Sequence, residues 1–389
     1  MRTAFVYDLV YPYSKGGVEK RIWDLAHLFA ARGHEVHVLG TKYWDGQKEL
    51  LVDGIHYWGV CPPMEIHSKD GRRSIWQAAR FAYSVARALK RTQFDVVDLQ
   101  GMVPLTCLAA LAVCQFTGRT PVITWHEVWQ DHWRAYLGPF GYVGRLVEWL
   151  MSRWAPVHFA VSRSTASRLT SWGVAPVSWL SNGVDYQRIQ SVPPSSLSCE
   201  ILYVGRLARH KNLDLLINAV GLLKNEGMDP SVLIVGEGPE MEALQHHAKS
   251  EGLDNVRFLG RLEDDDRVFA LMKSARLFAF PSLREGFGVA ALEASAAGLP
   301  VVTITHPLNA AVEFVEDGVT GLCVSPSAEE FAGAIREILT NDELRSTLSN
   351  NARLKALDFD WPRLFEKTER EYARVSSLSE SDGTPVASG

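Results

Sequence analysis

The sequence predicts an α/β protein of two doubly wound, parallel-sheet domains in tandem. The first observation is length: 389 residues, at roughly 150 residues per domain, make two or three compact units. The second is an alternation of short β-rich runs with longer helical patterns, the mark of a parallel sheet with helices on both faces. The third is a break at 189–198, where Val192-Pro193-Pro194-Ser195-Ser196-Leu197-Ser198 reads as a linker and the alternation then restarts.

In chain order, the first half offers strands at 4–7, 35–40, 56–60, 96–99, 122–125 and 158–161, with helical patterns such as 18–31, 75–91 and 105–116. The second half offers strands at 201–204, 232–235, 256–259, 277–280, 301–304 and 321–324. A last helix spans about 361–375. These patterns set the expected boundaries at 1–188, a linker 189–198, 199–358, a closing helical segment 359–378 and a disordered tail 379–389. Ligands of doubly wound sheets bind at the carboxyl ends of the strands, so the site is expected in a cleft where two sets of strand-end loops face each other.

Composition narrows the class. Hydrophobic residues at 47% and charged residues at 22% exclude wholesale disorder and collagen-like structure. The net charge of −5 conceals an asymmetry: residues 1–180 carry 20 Lys and Arg against 14 Asp and Glu, and the acidic excess lies beyond. Eleven of the 12 tryptophans also fall in that first part, Trp361 being the exception. Five cysteines without a CxxC pair argue against a disulfide framework or zinc site and for a reducing compartment. Asp8 and Lys15 rule out a signal peptide at the N-terminus. The apolar run 102–116 is too short to span a bilayer, so a soluble, cytoplasmic protein is expected.

The motif with most chemical content is Pro281-Ser282-Leu283-Arg284-Glu285-Gly286-Phe287-Gly288-Val289, with Glu293 eight residues beyond Glu285. A strand end, a glycine-bearing turn and a helix start form an anion site, because the first N–H groups of a helix are unpaired and lie at its positive end. If helical throughout, the Glu285 to Glu293 interval is about 12 Å. A pyrophosphate at the turn then leaves a ribose near Glu293. The second motif, Gly205-Arg206-Leu207-Ala208-Arg209-His210-Lys211-Asn212, also joins a strand to a helix. Arg206 and Lys211 are expected to compensate the charge of a departing diphosphate, and Arg209 to face solvent. Gly16-Gly17 either lets the backbone approach a phosphate or sugar, or is a plain tight turn. His126, at a strand end, is placed to bond a sugar hydroxyl and steady positive charge at an anomeric carbon.

Taken together these residues resemble a retaining glycosyltransferase of family 4, whose fold is GT-B: two Rossmann-like domains across a cleft, with a C-terminal helix crossing back onto the first. The resemblance runs along the whole chain: Gly16-Gly17, His126, Val161-Ser162, Asn182-Gly183-Val184-Asp185, Gly205-Arg206 with Lys211-Asn212, Gly236-Glu237-Gly238-Pro239, and Glu285 with Glu293. It implies a hexosyl-transferring enzyme that uses a nucleotide-sugar donor, retains anomeric configuration and needs no metal or other cofactor. Arg206 and Lys211 would bind the diphosphate, Glu293 the ribose, and Arg261 and Leu262 the base through main-chain groups. Glu285 with Gly286, Phe287, Gly288 and Val289 would meet the sugar and phosphate. One departure concerns the Gly-Gly pair common before the glutamate here numbered Glu313; this chain has Ala310-Ala311.

Between 69 and 91 lie seven basic residues, including Lys69, Arg72, Arg73, Arg80, Arg87 and Arg91, against Asp70 alone. Arg73, Arg80 and Arg87 recur every seven residues and so share a helix face. Together with Arg91 they make either a solvated helix or a peripheral contact with an anionic membrane, reaching a lipid-linked or carbohydrate acceptor in glycan, glycolipid or envelope polysaccharide synthesis. The aromatic segment 125–154 either lines the acceptor path or fills core. Rival classes fare worse. A dehydrogenase wants GxGxxG, but Met241 stands where the third glycine belongs. Asp264-Asp265-Asp266 imitates a metal-binding Asp-x-Asp but reads as a helix cap. The acidic second half disfavours nucleic acid. A sugar-nucleotide epimerase and a non-catalytic nucleotide-sugar sensor remain as alternatives.

Overall fold

The chain folds, in a computed structural model describing residues 1–65, 73–117 and 119–381, into two compact units. One is Met1–Ser181 with Leu364–Gly389; the other is Asn182–Arg363.

The first unit holds an eight-stranded sheet ordered β3-β4-β2-β1-β5-β6-β7-β8. Its strands are β1 (Arg2–Val6), β2 (Glu35–Thr41), β3 (Glu49–Val52), β4 (Ile55–Cys61), β5 (Val96–Gln100), β6 (Pro121–Trp125), β7 (Val157–Ala160) and β8 (Val177–Trp179). All pairings are parallel except β3 with β4, a hairpin turned by Asp53-Gly54 at φ 51° and 78°. The helices are α1 (Gly17–Ala31), α2 (Ile75–Arg91), α3 (Pro104–Phe116), α4 (His132–Leu137), α5 (Gly141–Trp154) and α6 (Arg163–Ser171). Strands β1, β5 and β6 read as almost continuous apolar runs because helices cover both faces, and Phe5, Val97 and Ile123 are fully buried.

In the second unit, α7 (Tyr186–Ser191) precedes a six-stranded parallel sheet ordered β11-β10-β9-β12-β13-β14. These strands are β9 (Cys199–Val204), β10 (Val232–Val235), β11 (Val256–Gly260), β12 (Ala275–Phe280), β13 (Val301–Ile304) and β14 (Gly321–Val324). Between and after them come α8 (Leu213–Asn225), α9 (Met241–Ser250), α10 (Asp265–Ser274), α11 (Val289–Ala296), α12 (Ala328–Thr340) and α13 (Asp342–Ala356). The stretch 189–198 is fastened to this unit. Ile189 is buried in α7, and the Lys273 ammonium donates to the carbonyls of Gln190 and Val192 at 2.7 and 2.6 Å. Gly183 lies against the Trp361 ring, where a side chain would meet it at 2.7 Å; Val184 and Trp361 exchange a backbone bond there.

The last helix, α14 (Trp361–Ser381), passes from the second unit into the first, which takes the chain from Leu364 onward. Phe365 and Tyr372 pack on Phe29 with ring centroids 4.9 Å away. The Tyr372 hydroxyl donates to Asp98 Oδ2 at 2.5 Å, and Thr124 donates to Oδ1 at 2.7 Å. Burial of Asp98 raises its pKa, so these donors matter. Tyr372→Phe removes one and should cost about 1–3 kcal/mol of the first unit's stability in urea unfolding. An unchanged midpoint would mean that the hydrogen bond holds nothing.

Candidate functional site

In each sheet the order reverses beside the strand from which the winding starts, at β1/β5 in the first unit and β9/β12 in the second. Crevices at such points receive ligands in doubly wound folds. In the second unit the two loops that leave this point are 205–212 and 281–288, the two motifs singled out from the sequence.

Their geometry follows from close backbone approach. Gly236 and Gly238 sit so near the 205–207 loop that a Cβ on them would lie 1.9 Å from the Gly205 carbonyl and 2.1 Å from that of Leu207. Only glycine admits this contact. It lets Gly205 N–H bond Val235 and Leu207 N–H bond Glu237, which fixes the base of the loop. The Arg206 guanidinium then stands exposed with no partner among the described residues, and Arg209 is exposed as expected. Residues Arg209–Lys211 form a 3-10 turn, and Asn212, left-handed at φ 57°, starts α8 without a side-chain cap.

Lys211 turns toward the second loop. Its ammonium lies 2.6 Å from Glu285 Oε1, with both side chains mostly shielded from solvent. The Leu283 N–H donates to the His210 carbonyl at 2.9 Å, so the loops are joined through backbone as well. Glu285 itself is pinned by backbone bonds to Leu308 and Ala310. Gly288, at φ 96°, caps α11, which begins at Val289. The helical condition on the Glu285 to Glu293 interval is therefore met only in part: residues 285–288 form the loop, and only the last turn before Glu293 is helical. Phe287 sends its ring into the core against Phe314 and Phe359, so it contributes only backbone to the loop. Arg261 is exposed and pairs with Glu263 at 3.3 Å, and Leu262 is half-buried beside it. Asp264 caps α10 by accepting from the Asp266 N–H at 3.0 Å, the structural role expected of that triplet.

The alanines that replace the glycine pair are buried. Asn309 binds the Ala311 N–H and donates to Thr303 and Ile304, so the turn before Glu313 is held by a side chain that sequence reading missed. The signal was available: an Asn two residues after a Pro is a turn former.

In the first unit, Gly16 is the N-cap of α1, and Gly17 its first residue, both exposed. His126 is buried just beyond β6. Its Nε2 lies 2.7 Å from Gln100 Oε1; a carbonyl oxygen only accepts, so Nε2 carries the proton and Nδ1 keeps its lone pair. Burial, with the nearby Arg21 guanidinium, pushes its pKa down to about 3, so the ring is neutral. The following loop is organised by Glu148 of α5, which accepts the N–H groups of Trp129 and Gln130 and the Trp133 indole N–H. That buried carboxylate had no sequence signal.

The basic stripe needs one correction. Arg73 precedes α2, whose N-cap is Ser74, and its guanidinium pairs with buried Asp8 while its N–H bonds Tyr136 at 2.9 Å. It is therefore not a surface cation on the helix face. Arg80, Arg87 and Arg91 are exposed on α2, whereas Lys69, Asp70 and Arg72 lie outside the described residues.

Two doubly wound parallel-sheet units in tandem are the architecture of the GT-B fold. Residues 15–188 match the family described as Glycosyltransferase Family 4, and residues 193–355 the one described as Glycosyl transferases group 1. Among its relatives, a glycogen synthase of Mycobacterium tuberculosis is 33% identical over 384 residues, covering 93% of this chain and 92% of that one. A phosphatidyl-myo-inositol mannosyltransferase of Mycolicibacterium smegmatis is 28% identical, covering 95% and 93%. The solved sucrose-phosphate synthase of Thermosynechococcus elongatus superposes with a TM-score of 0.81 at 18% identity, over 96% of this chain and 99% of that one. The chain belongs to glycosyltransferase family 4, and it is an enzyme of that class.

The depressed pKa of His126 has a consequence for stability. The unfolded chain binds a proton at about pH 6.5 and the folded one only near 3, so the contribution is whole above 6.5 and is lost as pH falls. His158, held near 4 by burial, acts in the same direction. His126→Asn should therefore flatten the acid limb, recovering about 2 kcal/mol at pH 5 relative to its own loss at pH 7.5. Denaturant titrations of both proteins across that range measure it; parallel limbs would contradict a neutral buried ring.

Proposed function

We propose that the protein transfers a hexosyl group from a nucleoside-diphosphate sugar, with retention and without a metal ion, to a carbohydrate or lipid-linked acceptor in glycan, glycolipid or envelope polysaccharide synthesis. The observation that carries this reading is the meeting of Lys211 with Glu285 where the β9 and β12 loops join, between two helix starts without side-chain caps. A diphosphate needs such donors: the ammonium, the guanidinium of Arg206 and the N–H groups of Gly286, Phe287, Gly288 and Val289. As the bond from the anomeric carbon to the diphosphate oxygen breaks, these groups take up the charge left on the leaving group.

Glu285 would then bond the sugar hydroxyls, and Glu293 the ribose. Main-chain groups of Arg261 and Leu262 would take the base. His126 would accept from a sugar hydroxyl; because it is neutral, it adds no repulsion to the positive charge developing at the anomeric carbon. Gly16 and Gly17 would admit the donor or acceptor close to backbone. The acceptor oxygen bonds to the carbon on the face the diphosphate leaves, and its proton passes to the departing phosphate. The acceptor class is supported by relatives named for a glucan and for a phosphatidyl-myo-inositol. A lipid-linked acceptor also fits the exposed cations of α2, which would hold the enzyme at the cytoplasmic face of a membrane. Among the described residues no helix is long and apolar enough to cross one.

Arg206→Ala should lower kcat by about 10²–10³ in a radiolabel transfer assay, while Arg209→Ala leaves it unchanged. Loss of donor affinity alone would indicate a sensor, and label appearing in an isomerised donor an epimerase. In thermal-shift scans of UDP-, GDP- and ADP-sugars at about 100 times Kd, one should stabilise the protein by about 2.7 kcal/mol. Undiminished transfer after chelation of divalent cations is also expected.

A further inference from the structure

Helices α2, α3 and α5 lie side by side on one face of the first unit's sheet, α3 between the other two. Exposed large apolar side chains concentrate there. On α5, Tyr142, Val143, Leu146, Trp149, Leu150 and Trp154 are each 40–59% exposed. At about 100° per residue they fall within one arc, while Gly144, Glu148 and Met151 occupy the opposite one. On α2, Trp76 and Tyr83, 81% and 68% exposed, share a face with Arg80, Arg87, Lys90 and Arg91. Arg87, Lys90 and Arg91 have no partner among the described residues. The three helices contain a single acidic residue, Glu148, which is buried and bound to the loop after His126.

We infer that this whole three-helix face, not the α2 stripe alone, docks on an anionic bilayer, with α5 lying in the interface and its aromatic side at headgroup depth. The inference rests on the reading of a lipid-linked acceptor. Tryptophan and tyrosine beside leucine and valine, among cations and with no exposed carboxylate on the three helices, suit the headgroup boundary; Asp131, exposed beside them, is paired with Arg145 of α5. A second copy of the chain would bring like charges together across the same patch, which disfavours a symmetric dimer. The buried side of α5 supplies a functional link. Glu148 holds the backbone of Trp129 and Gln130, so a bilayer that fixes α5 also fixes the loop next to His126.

Cosedimentation of the full chain with phosphatidylcholine vesicles, with and without phosphatidylglycerol, tests this. Binding should require phosphatidylglycerol, weaken with salt and shift tryptophan emission to the blue. Leu146→Glu with Trp149→Glu should lower vesicle affinity at least tenfold, and Arg87→Glu with Lys90→Glu, on a separate helix, should do likewise. Neither should alter the donor thermal shift measured without vesicles, which separates this face from the transferase reading. Absence of vesicle binding, binding indifferent to the α5 pair, or self-association abolished by that pair would each overturn the inference.

Discussion

Lys211 and Glu285 come from loops more than seventy residues apart in sequence, and their contact depends on almost everything beneath it. β9 and β12 must be adjacent at the reversal of strand order, the 205–212 loop must sit flush on two glycines, and the 281–288 loop must be pinned by Asn309's turn. A partly buried pair of this kind adds little net stability, because desolvation of both charges offsets their attraction. Its value is positional. The carboxylate holds the ammonium at the junction of the two loops.

The first unit contributes groups of another kind. Asp98, Arg21, Tyr372 and His126 form a buried polar core beneath the strand ends, and burial shifts three of them away from their charged states. Arg21 spans to the Ser181 carbonyl at 2.7 Å, so this core also fixes the end of the unit's main segment. A histidine buried beside a guanidinium cannot protonate near neutrality. Its ring stays neutral and is unsuited to act as a general acid.

Most of the strands and the two strand-to-helix loops were legible because parallel strands buried on both faces leave continuous apolar runs, and glycine marks where backbones crowd. What escaped had weaker local signals. β3 and β8 are edge strands with mixed burial, although Asp53-Gly54 announced the hairpin. Where the helix before Glu293 begins has no sharp local signal; Gly288, left-handed at φ 96°, sets the start at Val289. Arg73 looked like a member of a seven-residue stripe, yet Asp8, 65 residues away, claims it. Glu148 and Tyr372 owe their roles to partners distant in sequence, which no single-sequence period reports.

The central claim is that Lys211 exists to grip a diphosphate and that Glu285 competes with it for that ammonium. Calorimetric titration of a nucleoside diphosphate into Lys211→Met and Glu285→Gln decides it most directly. The account requires at least a tenfold loss of affinity in the first, and unchanged or tighter binding in the second together with lost transfer. Equal weakening in both would identify the pair as a structural brace, and full affinity in Lys211→Met would contradict the assignment outright.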